Sequence, residues 1–152
     1  MGAVARFYNT SCIAANYPEL LPIMPNLALQ YPLPTDPDAP LEPADLTLST
    51  HHYFSNTSTP VFAFDAPTSP DLGRVFAQKV NSSLAPSNAV AGANGVGNGA
   101  VPWLYLTARP DTIGDIKAVY RCNTAGGSPP ATCAGQPSAF SVQYAAVYWF
   151  YQ

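Results

Sequence analysis

The sequence predicts an all-β protein, a β-sandwich or barrel-like sheet with a long Pro-rich extended N-terminal arm and at most one or two short helices. Short runs of strand-forming residues alternate with turn-forming clusters along residues 46–152. Eight of the 17 prolines lie between Pro18 and Pro43, where missing N–H groups favour extended, polyproline-like backbone. The 152 residues are enough for one domain. We expect an arm of residues 1–45, packed on the domain or on a partner, and a β core of residues 46–152.

The strands are predicted in order along the core. Residues 45–54 alternate apolar and polar side chains, and residues 60–65 are rich in strand formers. Residues 72–84 (LGRVFAQKVNSSL) have apolar side chains at near-helical spacing, so a helix is predicted there. Residues 91–101 (AGANGVGNGAV) have the composition of a loop.

Three further runs complete the sheet. Residues 101–108 (VPWLYLTA) and 115–122 (DIKAVYRC) are predicted strands. The last run, 141–152 (SVQYAAVYWFYQ), is apolar on both faces. Because a strand of that kind is normally covered on both sides, it is predicted to lie in the interior of the sheet.

Composition restricts the classes of partner. Charged residues make up 10% of the chain, against about 25% in typical soluble domains, which suits a secreted protein. A net charge of −3 argues against a nucleic-acid partner, and no apolar run approaches the roughly 18 residues of a membrane span. Residues 1–73 carry seven acids against Arg6 alone. Either the two halves attract each other, or the acids face a partner.

Three N-glycosylation sequons begin at Asn9, Asn56 and Asn81. Together with the low charge they favour a secreted glycoprotein. The N-terminus lacks the charged, apolar and small-residue regions of a secretion signal, so we expect a mature or trimmed form.

No spacing in the chain predicts catalysis, a cofactor or a metal. The segment GANGVGNG lacks the strand, helix and spacing of a phosphate-binding loop. His51 and His52 are adjacent on a predicted strand and point to opposite faces, so they do not share a metal. Either could pair with Asp65, but the sequence has no nucleophile elbow to complete a triad. We therefore expect no enzyme activity.

Two cysteines flank the loop RCNTAGGSPPATC of residues 121–133. In a secreted protein, cysteines around a tight Gly/Pro loop favour a disulfide. A Cys122–Cys133 bridge would stabilise the fold by roughly 3 kcal/mol in the loop-entropy model. Cys12 makes an odd third thiol, so a Cys12–Cys133 pairing stays open.

The C-terminal half carries three ordered motifs: GAVPWLYLTA, YRCNTAGGSPPATC and YAAVYWFYQ. They resemble a family of secreted, mostly fungal proteins of unknown function. Where that family commonly has a Q-N-Y-x-C stretch, this chain has HHYFS, so Ser55 stands in place of the cysteine. Some members carry a malate dehydrogenase label, which the missing dinucleotide fingerprint makes physically implausible here. The chain's size, acidic Pro-rich arm and secreted character also resemble the small, non-catalytic subunit of heterodimeric laccases from white-rot mushrooms.

These resemblances imply a secreted, non-catalytic accessory subunit that stabilises a larger secreted enzyme, such as a multicopper oxidase. The expected contacts are apolar side chains of the arm, which could instead pack on the chain's own sheet: Leu20, Leu21, Ile23, Met24, Leu27 and Leu29. The alternative is a module that binds carbohydrate or cell wall through exposed Tyr and Trp side chains. An exposed apolar arm favours the first function, and a row of exposed aromatics favours the second.

Overall fold

A computed structural model describes residues 2–67, 69, 71–91 and 99–152. Over these residues the protein is mostly β, with seven antiparallel strands in a curled half-barrel sheet and only two short helices, so the predicted all-β class is confirmed. The elements are β1 Ala5–Tyr8, α1 Ser11–Asn16, a 3₁₀ turn Pro18–Leu20, α2 Met24–Ala28, β2 Leu48–Ser55, β3 Thr59–Ala63, β4 Arg74–Ser83, β5 Trp103–Ala108, β6 Ala118–Gly126 and β7 Tyr144–Tyr151.

Each strand pairs with the next one along the chain, so the spatial order is β1 to β7 and these two are the edge strands. The β2–β3 connection shows how local sequence sets this order. Asn56 and Thr57 both have positive φ, 49° and 63°, and the Ser58 amide donates to the Ser55 carbonyl at 3.3 Å. Two such residues form a type I′ turn, whose twist matches that of the two flanking strands.

The core lies on the concave face of the sheet. Phe62 of β3 is opposite His52 of β2 and Val75 of β4. The fully buried cluster consists of Phe62, Val75, Ala77, Leu106, Ile116 and Val119. The ring of Phe7 on β1 lies 4.5 Å from the ring of Tyr148 on β7, so side chains of the two edge strands meet across the interior.

The helix predicted over residues 72–84 is wrong, because this stretch is the ten-residue strand β4. Val75 and Ala77 face the core and are buried, whereas the intervening Phe76 lies opposite Val61 on the other face. Apolar side chains on both faces imitate helical spacing over a short run. Backbone pairing with β3 and β5 decides in favour of the strand.

The prolines predicted an arm that is extended throughout, but the arm contains two short helices and a 3₁₀ turn. Pro18 begins the 3₁₀ turn, and Pro25 lies in the first turn of α2, where a helix has no use for the missing N–H. Helix α2 packs against β7. Strand β1 also lies within residues 1–45 and pairs with β2, so the sheet begins before residue 46.

β7 is an edge strand, so the prediction of an interior strand is wrong. Tyr148 and Phe150 point into the aromatic core, whereas Trp149 and Tyr151 are 38% and 51% exposed. The apolar residues of its second face belong to the outer surface of the sheet. No helix in the described residues is long and apolar enough to cross a membrane. Most of the predicted loop, residues 92–98, lies outside the described residues.

Candidate functional site

The opening between the two edge strands contains a cavity of about 410 Å³, which we call the seam cavity. Its walls come from β1 and β7, and α2 contributes Met24, Pro25 and Ala28. Leu33 and Leu41 line it from the rest of the arm, while Leu46, Phe64 and Leu72 come from the core. The lining also includes polar residues: Asn9, Thr10, Ser11, Ser49, Thr50 and Gln143. The seam cavity therefore has a mixed polar and apolar lining and is formed jointly by the sheet edge and the arm.

Arg6 is the charged side chain in this lining. Its Nη1 donates to the carbonyl oxygens of Pro34 and Asp36 at 2.9 and 3.2 Å, which ties the arm to β1. Ion pairs in the described residues join His51 to Asp65 and Arg109 to Asp111, so Arg6 forms no ion pair there. A cation without a direct carboxylate partner therefore lies at the cavity.

A second arginine, Arg121, contacts Tyr144 of the cavity wall. The Arg121 guanidinium lies 5.9 Å from the centre of the Tyr144 ring and donates to the Pro102 carbonyl at 2.8 and 3.0 Å. The hydroxyl groups of Tyr144 and Tyr148, which both line the cavity, are 3.4 Å apart. Burial raises the pKa of Tyr148 well above its usual value, so this hydroxyl stays protonated and can donate a hydrogen bond.

The two histidines have separate environments, as the alternation of a strand predicts. His52 is buried and stacks on Phe62 at 4.5 Å, and its Nδ1 lies 2.8 Å from the Val61 carbonyl oxygen. Burial lowers its pKa, and the nearby Arg121 charge acts in the same direction. His51 is partly exposed, with Nδ1 2.7 Å from Asp65 Oδ1. Within the described residues, no group of three metal-ligating side chains occurs.

The convex face of β5, β6 and β7 carries an outer aromatic row, which consists of Tyr105, Tyr120, Trp149 and Tyr151. Tyr105 is opposite Tyr120, and Tyr120 is opposite Trp149. The rings of Tyr105 and Tyr120 stack at 4.7 Å, and Tyr151 contacts Tyr120 edge-on at 5.6 Å. Tyr120, Trp149 and Tyr151 are exposed. This row was not predicted, because it becomes visible only once the register of three strands is known.

The six predicted arm contacts divide into two groups. Leu21 and Leu29 are buried within this chain, 6% and 5% exposed, and Met24 lines the seam cavity. Leu20, Ile23 and Leu27 are exposed, Ile23 and Leu27 by about half. Together with three exposed neighbours they form what we call the arm surface: Tyr17, Leu20, Ile23, Leu27, Tyr31 and Leu33.

The acidic residues beside the arm surface are all exposed: Asp36, Asp38, Glu42 and Asp45. None of them takes part in an ion pair within the described residues, where both pairs are local to one half of the chain. No ion pair within the described residues therefore joins the acidic half of the chain to the basic half. The acids are left facing solvent next to apolar side chains.

All three cysteines are free, so the predicted Cys122–Cys133 bridge is not formed in this structure. Cys122 lies on β6 opposite Val147, and Cys133 lies in the exposed segment that precedes β7. Gly126 and Gly127 adopt the positive φ values expected of this loop, 64° and 91°. A Cβ at position 127 would lie 2.6 Å from the Tyr144 Cβ, so only glycine fits this close approach.

The three sequon asparagines are exposed. Asn56 forms the tip of the β2–β3 turn, and Asn81 lies on β4 opposite Tyr105. Asn9 follows β1 and accepts a hydrogen bond from the Ser11 amide at 2.9 Å. Each position leaves the side chain at the surface.

The sequence was also compared with known proteins. The model of a family described as protein of unknown function (DUF3455) matches residues 1–152. The chain belongs to the DUF3455 family. The expected membership of a family of unknown function is thus confirmed over the whole chain. No curated protein and no solved structure gave a match, so the seam cavity, the outer aromatic row and the arm surface of this DUF3455 protein are interpreted from their own geometry.

Proposed function

We propose that this DUF3455 protein is a secreted, non-catalytic subunit that binds and stabilises a larger secreted enzyme through its arm surface. The observation that carries the proposal is the outward face of the arm, where six large apolar side chains within residues 17–33 are exposed. Exposed apolar patches beside polar residues are typical of protein–protein contacts. A laccase-type multicopper oxidase is the first partner to test.

The neighbouring acids support the same proposal. Asp36, Asp38, Glu42 and Asp45 are exposed and form no ion pair within the described residues. Charges at the rim of a contact steer association and add specificity more than affinity. We therefore expect the partner to present an apolar groove bordered by basic side chains, and we expect association to slow as salt concentration rises.

The test uses paired substitutions that leave the fold intact. Ile23→Asp combined with Leu27→Asp places charges on the arm surface at positions that are half exposed. Ile113→Asp is the matched control, because Ile113 is similarly exposed but lies in the turn before β6. The wild type and the control should co-elute with a purified, co-secreted laccase-type oxidase and slow its heat inactivation. The double variant should do neither.

Two outcomes would contradict the proposal. One is that the wild type forms no complex with the oxidase at micromolar concentration and leaves its inactivation rate unchanged. The other is that both variants bind as the wild type does, which would remove the arm surface from the contact.

The second candidate function is carbohydrate binding, supported by the outer aromatic row. Stacked, exposed aromatic rings beside the amide side chains of Gln78 and Asn81 offer apolar faces and hydrogen-bonding groups of the kind that sugar rings use. Trp149→Ala should abolish retention on an insoluble cell-wall polysaccharide, whereas Tyr17→Ala, at an exposed aromatic residue of the arm, should leave it unchanged. Equal retention of both variants would reject this function.

A further inference from the structure

We infer that the seam cavity binds an amphipathic monocarboxylate, a small molecule with one carboxylate group and an apolar body, and that Arg6 contacts the carboxylate. This site adjoins the arm surface and shares Leu33 with it, but its other lining residues are distinct. The inference rests on the size of the cavity, the chemistry of its walls and the distribution of charge around it.

The size and the walls specify the body of the ligand. About 410 Å³ lies within the range of roughly 300–1,000 Å³ typical of small-molecule pockets. The aromatic wall comes from Phe7, Phe64, Tyr148 and Phe150, the arm adds Met24, Leu33 and Leu41, and Leu46 lies just before β2. An aliphatic or ring-containing body of modest length would bury its apolar surface against these side chains. Polar side chains complete the lining and can meet the head group: Asn9, Thr10, Ser11, Ser49, Thr50 and Gln143.

The charge specifies the head group. Arg6 is the charged residue in a lining that contains no Asp or Glu among the described residues, although the chain as a whole carries a net charge of −3. Its two acceptors are backbone carbonyls, and both are bonded to Nη1. Because a guanidinium has five N–H donors, Arg6 retains donors for a carboxylate, which it can contact through two parallel hydrogen bonds.

The surroundings favour an anion over a neutral or cationic head group. Arg121 adds a second positive charge behind Tyr144 and Tyr148, and the described residues offer neither arginine a carboxylate partner. The Tyr144–Tyr148 hydroxyl pair lines the cavity and can donate to an oxygen atom. A cationic amphiphile would meet these positive charges with no acidic side chain in the lining itself, since the nearby Asp36 contacts Arg6 through its backbone carbonyl.

Three probes of equal chain length separate the head group from the apolar body. Dodecanoate, dodecanol and dodecyltrimethylammonium should be titrated against wild-type protein preloaded with the neutral fluorescent probe N-phenyl-1-naphthylamine, below their micelle-forming concentrations. Dodecanoate should displace the probe with an affinity roughly 10- to 100-fold higher than dodecanol, the gain expected of hydrogen bonds to a charged group. Dodecyltrimethylammonium should bind more weakly than dodecanol.

Substitutions locate the two parts of the site. Arg6→Met should lower dodecanoate affinity to that of dodecanol, whereas Arg74→Met, at an exposed arginine of β4 outside the cavity lining, should change nothing. Arg6→Lys keeps the charge but loses the planar fork and should fall between the two. Ala28→Leu on α2 would fill the cavity and weaken all three probes, whereas Ala15→Leu on α1, at an exposed alanine outside the lining, should not.

The outcomes decide each part of the inference. Equal affinity of wild-type protein for dodecanoate and dodecanol would overturn the carboxylate assignment. An unchanged preference for dodecanoate in Arg6→Met would overturn the role of Arg6. Failure of every probe to bind, or binding that Ala28→Leu leaves unaltered, would overturn the cavity as the site. Should Arg6→Met fail to fold, the wild-type comparison of head groups and the Arg6→Lys variant decide the question.

Discussion

At the scale of single residues, His52 couples the aromatic core to pH. Its ring stacks on Phe62 inside the half-barrel, and burial lowers its pKa from the ordinary 6.5. In the unfolded chain the imidazole binds its proton at a higher pH than in the folded chain. Stability that is present above pH 6.5 is therefore lost as the pH falls through 6.5 towards the folded-state pKa.

The first prediction follows from the lowered pKa of His52. Between pH 7 and 5.5 the free energy of unfolding of the wild type should decline, by at most about 1.4 kcal/mol per pH unit for one proton. His52→Gln, which keeps a donor for the Val61 carbonyl, should decline less steeply. Urea unfolding at each pH measures both proteins, and equal slopes for His52→Gln and the wild type would contradict the assignment.

The second prediction concerns thiol reactivity. Cys12 and Cys133 are exposed, whereas Cys122 is half-buried and burial raises the pKa of its thiol. Because the thiolate is the reacting species, iodoacetamide at pH 8 should alkylate Cys12 and Cys133 well before Cys122. Mass spectrometry of quenched peptides gives the order. Recovery of a linked Cys122–Cys133 peptide from unreduced native protein would show that the mature form closes the bridge that is open in this structure.

Residue-level expectations succeeded where they depended on local rules. The alternation of side chains along a strand separated His51 from His52, and the Gly-Gly pair of the 121–133 loop adopts positive φ. Expectations that needed a second segment fared differently. Leu21 and Leu29 are buried whereas Leu20 and Leu27 are exposed, and spacing among prolines does not distinguish them, because each turn of the arm is set by what it packs against.

At the scale of elements, the β2–β3 turn contains a residue ill-suited to its backbone. Thr57 has φ of 63°, and β-branched residues rarely adopt the left-handed region. Thr57→Gly should therefore raise the free energy of unfolding by about 1 kcal/mol while preserving the Asn56-X-Ser58 sequon. Ser58→Gly, next in the chain, has no such strain to relieve and should not stabilise. Thermal unfolding measures both, and a destabilised Thr57→Gly would refute the argument.

The last strand gives the fourth prediction. Truncation after Ala146 removes Tyr148 and Phe150, which contact Phe7, Phe62 and Phe64 in the core. At roughly 1.5–3 kcal/mol for each large buried side chain, together with the lost pairing to β6, the cost approaches the usual net stability of about 5–15 kcal/mol. The truncated chain should lack a cooperative melt. Trp149→Ala, on the exposed face, should melt close to the wild type. That result would show that the truncation destabilises the protein through the inward-facing Tyr148 and Phe150.

β4 shows why element type could not be settled from the sequence alone. A run with apolar residues on both faces satisfies helical and strand periodicities equally well over ten residues. The strand forms because β3 and β5 supply backbone partners on both sides. The runs predicted as strands over residues 45–54, 60–65 and 101–108 did not have this ambiguity, since flanking turn residues and β-branched or aromatic content agreed with their pattern.

At the scale of the whole molecule, the division into arm and core yields the fifth prediction. A fragment of residues 46–152 would lack β1, and with it Phe7 and the pairing to β2. It would also lose the buried Leu21 and Leu29. Such a fragment should expose apolar surface, bind hydrophobic dyes and melt without cooperativity. A fragment that melts cooperatively near the wild-type temperature would instead establish residues 46–152 as an independent domain.

The fold class and part of the arm surface could be predicted from the sequence, but the seam cavity and the outer aromatic row could not. The seam cavity depends on β1 and β7, which lie at opposite ends of the chain and meet only because the sheet curls. The outer aromatic row depends on cross-strand register, which is fixed by turns and bulges rather than by composition. The sequence shows Arg6 only as a single basic residue among acids, and its place in the cavity lining could not be predicted from that.

The sheet has an odd number of strands, which affects whether the opening between β1 and β7 can close. Seven strands that each reverse direction leave the first and last running the same way, so the antiparallel ladder cannot be continued across the gap. Point substitutions leave this count unchanged. Only the gain or loss of a whole strand would let an antiparallel ladder close, since β1 and β7 as they run could pair only in parallel. Substitutions on β1 and β7 can therefore change what fits the opening without joining its two edges in an antiparallel ladder.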